Sequence, residues 1–222
     1  PPPPPPPPLF FFNQNPQNDI PLRLVGSEMC IRDRPIMNKL LAFGASSSKN
    51  SRNKKLASYV ANRMAPKEAI LIDLNEFEMP IYSEDREHEI GIPDKAHEFK
   101  KLVNESIGII ISLAEHNGSY TSAFKNIYDW ISVIETTVWS NKPLILLSTS
   151  DGQNAGKTVL QTALSRFSRQ SKQEIPHFSL PNFNENFSDT DGIINKKLSE
   201  ELDKQISIFS GQVENLLNSS NN

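Results

Sequence analysis

The segment Ala45-Ser46-Ser47-Ser48-Lys49-Asn50-Ser51-Arg52-Asn53 gathers four hydroxyls, two amides and two cations into nine positions. It lies between an apolar run and a helical pattern. Backbone N–H groups at a helix N-terminus point outward and favour an anion, and hydroxyls add donors without a buried cation. That chemistry suits a phosphate monoester, with Ser46, Ser47, Ser48, Ser51 and Asn53 as candidate contacts. Alternatively Ser51 only caps the helix, a role serine fills often. A second stretch, Ala114-Glu115-His116-Asn117-Gly118-Ser119, contains an Asn-Gly pair that tolerates positive φ and therefore reads as a turn. Glycine also permits close backbone approach. Glu115 reads equally as a solvated or capping carboxylate, and His116 as a structural or solvent-facing ring. The third stretch is Ser148-Thr149-Ser150-Asp151-Gly152-Gln153-Asn154-Ala155-Gly156. Continued through Lys157-Thr158 it imitates a nucleoside-triphosphate loop, but that pattern needs four residues between its glycines and three stand here.

The elements that must carry these stretches alternate. Lys39–Gly44 is a short apolar run ending in glycine, as in a buried parallel strand, and a helix with Leu56, Val60 and Met64 on one face follows. Glu68–Asp73 is a second strand, and 74–93 a long loop containing Met79-Pro80-Ile81-Tyr82 and an acidic stretch. A helix from about Asp94 turns Ala96, Phe99, Leu102 and Val103 inward. Ser106–Leu113, apolar on both faces, is a central strand. The next helix places Phe124, Ile127, Ile131 and Ile134 at 3–4 spacing. Pro143–Ser148 is a fourth strand, and its following helix runs to about Arg169. A weak fifth strand spans Glu174–Leu180. The final helix carries Ile194, Leu198, Leu202, Ile206, Phe209 and Val213 as one stripe. Alternation of this kind means parallel strands and right-handed crossovers in a doubly wound sheet, expected in the order 2-1-3-4-5. Ligands of such sheets lie beyond the carboxyl ends of the strands, where strand order reverses. The three polar stretches are the loops after strands one, three and four.

The first stretch, continued through Lys54-Lys55-Leu56-Ala57, resembles the phosphate loop of the NAD(P)H-dependent FMN reductase family. That pattern is Gly-Ser-x-Arg, two residues, Ser-x-Asn, two residues, Leu-Ala. Ser46, Ser51, Asn53, Leu56 and Ala57 keep it, while Ala45 stands for glycine and Ser48 for arginine. Ala114–Ser119, with Ala123-Phe124-Lys125-Asn126 and Asp129-Trp130, is similar to the family's Pro-Glu-Tyr-Asn-Gly-Ser segment and the helix after it. The resemblance implies a flavodoxin-like three-layer α/β/α sandwich with bound FMN. It places Ser46, Ser48, Ser51, Arg52 and Asn53 at the phosphate, and Ala114, Glu115, His116, Asn117, Gly118 and Ser119 along the ring. Ser148, Thr149, Ser150 and Gly152 fall at its far edge. It further implies hydride transfer from NADPH or NADH to a quinone, flavin, azo compound or similar small acceptor. No catalytic side chain is then required, because the flavin carries the redox chemistry. An FMN-binding electron carrier, or a flavin-free scaffold of the same fold, is the competing expectation. A homodimer or homotetramer is also implied, with Trp130, Ile134 and Trp139 as interface or core residues.

Composition restricts the alternatives. The chain has 222 residues, 37% hydrophobic and 22% charged, with a formal charge of −3, so nothing electrostatic recommends nucleic acid as a partner. No apolar run approaches the ~20 residues that span a bilayer. The single Cys30 leaves no intramolecular disulfide and no cysteine metal cluster, which fits a cytoplasmic setting and no resident metal. Residues 1–36 differ in kind from the rest. Eight prolines precede Leu9-Phe10-Phe11-Phe12, and Arg23–Arg34 resembles translated sequencing-adapter DNA rather than a signal peptide. The expected organisation is a non-native or disordered extension over 1–36, an FMN-binding domain over 37–217, and a disordered tail over 218–222.

Overall fold

A computed structural model describes residues 39–64 and 69–220. The chain runs β1 (Lys39–Ala45), α1 (Arg52–Met64), β2 (Ala69–Leu71), a 3₁₀ turn at Leu74–Phe77, α2 (Glu84–Ile90), α3 (Asp94–Glu105) and β3 (Ser106–Leu113). The two-residue strands β4 (Glu115–His116) and β5 (Ser119–Tyr120) follow, then α4 (Ser122–Ile134), β6 (Leu144–Thr149), α5 (Lys157–Phe167) and β7 (His177–Leu180). The chain continues through α6 (Phe183–Asn186), β8 (Phe187–Ser188), β9 (Gly192–Ile193) and α7 (Lys196–Ser220). The main sheet is parallel throughout, ordered β2-β1-β3-β6-β7. Counting only its own five strands, this is the expected 2-1-3-4-5 order.

Period-two alternation along the central strands builds two cores. Leu41, Phe43 and Ala45 of β1, Ile109, Ile111 and Leu113 of β3, and Leu144 and Leu146 of β6 face one core, with α3, α4 and α5. Leu40, Ala42, Ile110, Ile145 and Leu147 face the other, with α1 and α7. Phe99 of α3 meets Phe43 and Phe77 edge-on at 5.5 and 5.1 Å. Burial of one such side chain is worth about 1.5–3 kcal/mol. Trp130 and Trp139 are buried in the first core and Ile134 packs against it, so of the two roles foreseen for them the core one holds within this chain.

Several boundaries differ from the sequence expectation. The second strand is three residues long, and Glu68 lies outside the described residues. The supposed loop 74–93 contains α2, a helix without a buried residue and hence without an apolar stripe to reveal it. Its ends are marked by capping alone: the Ser83 hydroxyl accepts from Arg86 N at 3.2 Å, and Gly91 ends it at φ 74°. The fifth strand begins at His177, and α5 stops at Phe167. Ile194 precedes α7 and is exposed, so it does not belong to the buried stripe. The helix continues to Ser220, past the expected boundary at 217; residues 221–222 lie outside the described ones, as does the extension 1–36.

Candidate functional site

Register sets the site. Ala45 pairs with Leu113, and Leu113 with Ser148, so β1, β3 and β6 end level. Their exit loops therefore leave side by side from the carboxyl edge, on both sides of the point where strand order reverses between β1 and β3.

The first loop turns tightly. Ser46 N donates to Gly44 O at 2.8 Å, and Ser48 N to Ser46 Oγ at 3.1 Å. Asn75 holds Ser47 O at 3.0 Å. Ser51 caps α1: its hydroxyl accepts from Lys54 N at 3.3 Å and its carbonyl from Lys55 N at 3.1 Å. The amides of Arg52 and Asn53, the first two residues of α1, belong to the turn whose N–H groups lack helical acceptors. The Arg52 guanidinium forms an ion pair with Asp151 in the loop after β6, both side chains about half exposed. Lys54 pairs with Asp73. Burial pushes the Asp73 carboxyl up, but the Lys54 ammonium and the Asn75 donors outweigh it and hold the group below its ordinary range.

Asn53 is buried, and its side-chain amide makes three hydrogen bonds inside the protein. Its Oδ1 accepts from Ser112 Oγ at 2.8 Å and Thr149 N at 3.1 Å, while its Nδ2 donates to Thr149 O at 3.2 Å. One side chain thus ties the start of α1 to the ends of β3 and β6. Thr149 Oγ1 donates to Leu180 O at 2.8 Å, and the Ser148 and Ser179 hydroxyls meet at 2.8 Å. These groups hold the edge together from within.

After β3, Asn117 and Gly118 adopt φ 51° and 76° between the paired strands β4 and β5. Two successive positive φ values make the tight turn that suits a hairpin's twist. A Cβ at Gly118 would meet nothing within 4 Å, so the space outside this turn is open. His116 is exposed. Glu115 is a capping carboxylate: its Oε2 accepts from Val159 N at 3.0 Å, in the first turn of α5. In the third loop, Ser150 Oγ lies 3.3 Å from both Gly152 N and Gly152 O.

Thr121 is not among the residues the sequence singles out, whereas Asn126 and Trp130 are. Thr121 is buried, donates to Ala45 O at 2.9 Å and accepts from Phe124 N at 3.2 Å, joining the end of β1 to the start of α4. Only its position before a helical pattern could have marked it. On α4, Asn126 Nδ2 donates to Met79 O and Pro80 O at 3.1 Å each, and its Oδ1 accepts from Tyr82 N at 2.8 Å. Trp130 Nε1 adds a 2.7 Å bond to Pro80 O. The Asn-and-Trp pattern of this helix therefore secures the Met79–Tyr82 segment. Asn126→Ala is expected to cost about 1–2 kcal/mol. Hydrogen exchange should show the Tyr82 amide protected in the parent and exposed in the variant; equal protection contradicts the clamp.

A cavity of about 580 Å³ lies on the α1 flank of the first loop, reached by Lys49, Asn50 and Ser51 and floored by Tyr59. Of the cations lining it, Lys54, Lys55 and Arg63 are paired with Asp73, Asp189 and Asp203. Among the described residues, no His, Cys, Asp and Glu cluster suited to a metal ion is found, and no helix is long and apolar enough to cross a membrane.

Residues 38–185 match the family model described as NADPH-dependent FMN reductase. A 2-hydroxy-1,4-benzoquinone reductase from Burkholderia sp is 30% identical over 127 residues, covering 57% of this chain and 67% of that protein. A quinone reductase from Escherichia coli K12 is 27% identical over 79 residues, covering 36% of this chain and 42% of its own. The chain thus spans two thirds of the first relative and less than half of the second. A solved flavoenzyme NAD(P)H:(acceptor) oxidoreductase from Paracoccus denitrificans has the same fold, with a TM-score of 0.63 and 19% identity, over 81% of this chain and 98% of that one.

Proposed function

The chain belongs to the NADPH-dependent FMN reductase family, and from that premise we propose that it holds FMN on the carboxyl edge of its sheet and reduces a small acceptor of the quinone class. The observation that carries this reading is the level ending of β1, β3 and β6, which sets a phosphate-type loop, a tight turn with open space at Gly118 and a polar exit loop in a row. The donor set fits the cofactor. Hydroxyls of Ser46, Ser48 and Ser51, the amides of Arg52 and Asn53, and the Arg52 guanidinium suit a phosphate dianion. The open side of the Asn117–Gly118 turn suits a flat ring, with Ala114, His116 and Ser119 beside it. Ser150 and Gly152 would meet its far edge.

FMN when bound supplies the hydride chemistry itself. In this reading the chain binds the phosphate, orients the ring and keeps the loops level. Asn53, Glu115, Ser148 and Thr149, whose side chains bond within the protein, act as positioning residues. NADPH or NADH is the donor, and a cytoplasmic location goes with that donor. The similarity to two quinone reductases supports the acceptor class. A homodimer or homotetramer is part of the same proposal, supported by Ile81 and Ile90, both apolar and exposed. Light scattering on the purified protein tests it.

The expected result is a protein that keeps oxidised-flavin absorption bands after FMN addition and desalting. NADPH or NADH without air should bleach them, and a benzoquinone should restore them. Bands that resist the pyridine nucleotides indicate a carrier fed by another protein. No bands after reconstitution overturn the flavin reading.

A further inference from the structure

The phosphate-type loop carries serine at position 48, and the guanidinium nearest the start of α1 is already engaged. Arg52, the first residue of α1, reaches across the carboxyl edge to Asp151 in the loop after β6. A ligand running from the α1 N-terminus to that loop must cross this ion pair. We propose that Asp151 holds Arg52 in reserve, that a phosphate dianion takes the guanidinium over from it, and that Asp151 thereby sets the discrimination between phosphorylated and unphosphorylated flavin. The inference rests on the flavin reading above and assigns Asp151 a role that loop geometry alone does not.

The exchange is physically favourable. The side chains of Arg52 and Asp151 are 43% and 48% exposed, and a pair so open to water contributes little. A phosphate monoester brings more charge than a carboxylate, and a third terminal oxygen, to the planar guanidinium fork. The backbone amides of Arg52 and Asn53 lie in the first turn of the same helix, at an N-terminus that favours an anion. The released Asp151 carboxylate returns to solvent, where it is already half exposed, and needs no new partner.

Three proteins decide the matter: the parent, Asp151→Asn and Arg52→Gln, each titrated with FMN and with riboflavin by quenching of flavin fluorescence. Asp151→Asn should tighten FMN by about threefold to tenfold, through loss of a competing carboxylate, and leave riboflavin within about twofold. Arg52→Gln should weaken FMN by about tenfold or more with riboflavin again nearly unchanged. Added salt should weaken FMN binding to the parent more than riboflavin binding. If Asp151→Asn weakens FMN, the carboxylate orients Arg52 rather than competing for it, and the inference is overturned. An unchanged FMN affinity, or equal changes for both flavins, overturns it as well while leaving the flavin reading intact. A parent that binds neither flavin removes both.

Discussion

Gly44→Ala is expected to destabilise the protein by about 3 kcal/mol, the upper part of the range for overpacking a core. A Cβ at position 44 would lie 2.4 Å from Lys54 N, 2.7 Å from Lys54 Cα and 2.8 Å from Asn53 C. All three are backbone atoms of the first turn of α1, so no flexible side-chain end can move aside. The helix cannot retreat either. Leu56 and Ala57 are buried beneath it, and Asn53 is bonded to β3 and β6. For a domain of this size the loss corresponds to a fall in melting temperature of about 6–12 °C. Gly152→Ala is the control. Its nearest neighbour would be Ser150 Oγ at 4.0 Å, so the change should stay within about 0.5 kcal/mol. Equal melting of the two variants contradicts so close a contact between α1 and β1.

Asn53→Ala should cost about 2–4 kcal/mol and weaken any ligand that needs the three loops level. The truncation leaves the Ser112 hydroxyl without its acceptor and strands both backbone polar groups of Thr149. Ser112 and Thr149 are buried, so water does not replace the lost partner at low cost. A double-mutant cycle with Ser112→Ala separates this from simple loss of packing. The pair should show a coupling of about 1 kcal/mol, because the second change removes a donor already orphaned by the first. Additive effects contradict a shared hydrogen bond.

The strands and helices were legible because burial is periodic. β3 is apolar on both faces and lies central, and the 3–4 spacing of Phe124, Ile127 and Ile131 marks the buried face of α4. The Asn117–Gly118 turn was legible because few residue pairs accept two positive φ values. α2 was not, since it buries nothing and its caps are its only signal. At the candidate site the loops were legible and the use of their side chains was not. Asn53 and Glu115 have polar groups of the right kind for a ligand, yet each finds its partner in a strand or helix far along the chain. Residue type fixes what a group can bond to, while topology decides which bond forms. Glu115 was readable as a capping carboxylate only as one of two options, because the helix it caps begins more than forty residues later.

The bond from Asn53 to Thr149 joins residues 96 apart in the chain. At about 5–20 residues per second, a ribosome needs roughly 5–20 s to deliver the second partner after the first. For that interval β1 and α1 are already made, yet the amide that locks them has no counterpart. Nascent chains stalled before residue 149 has left the exit tunnel should therefore lack the tie between α1 and the ends of β3 and β6, whatever helix they have formed. A chain truncated within β6 would fail at the site before failing in its N-terminal half.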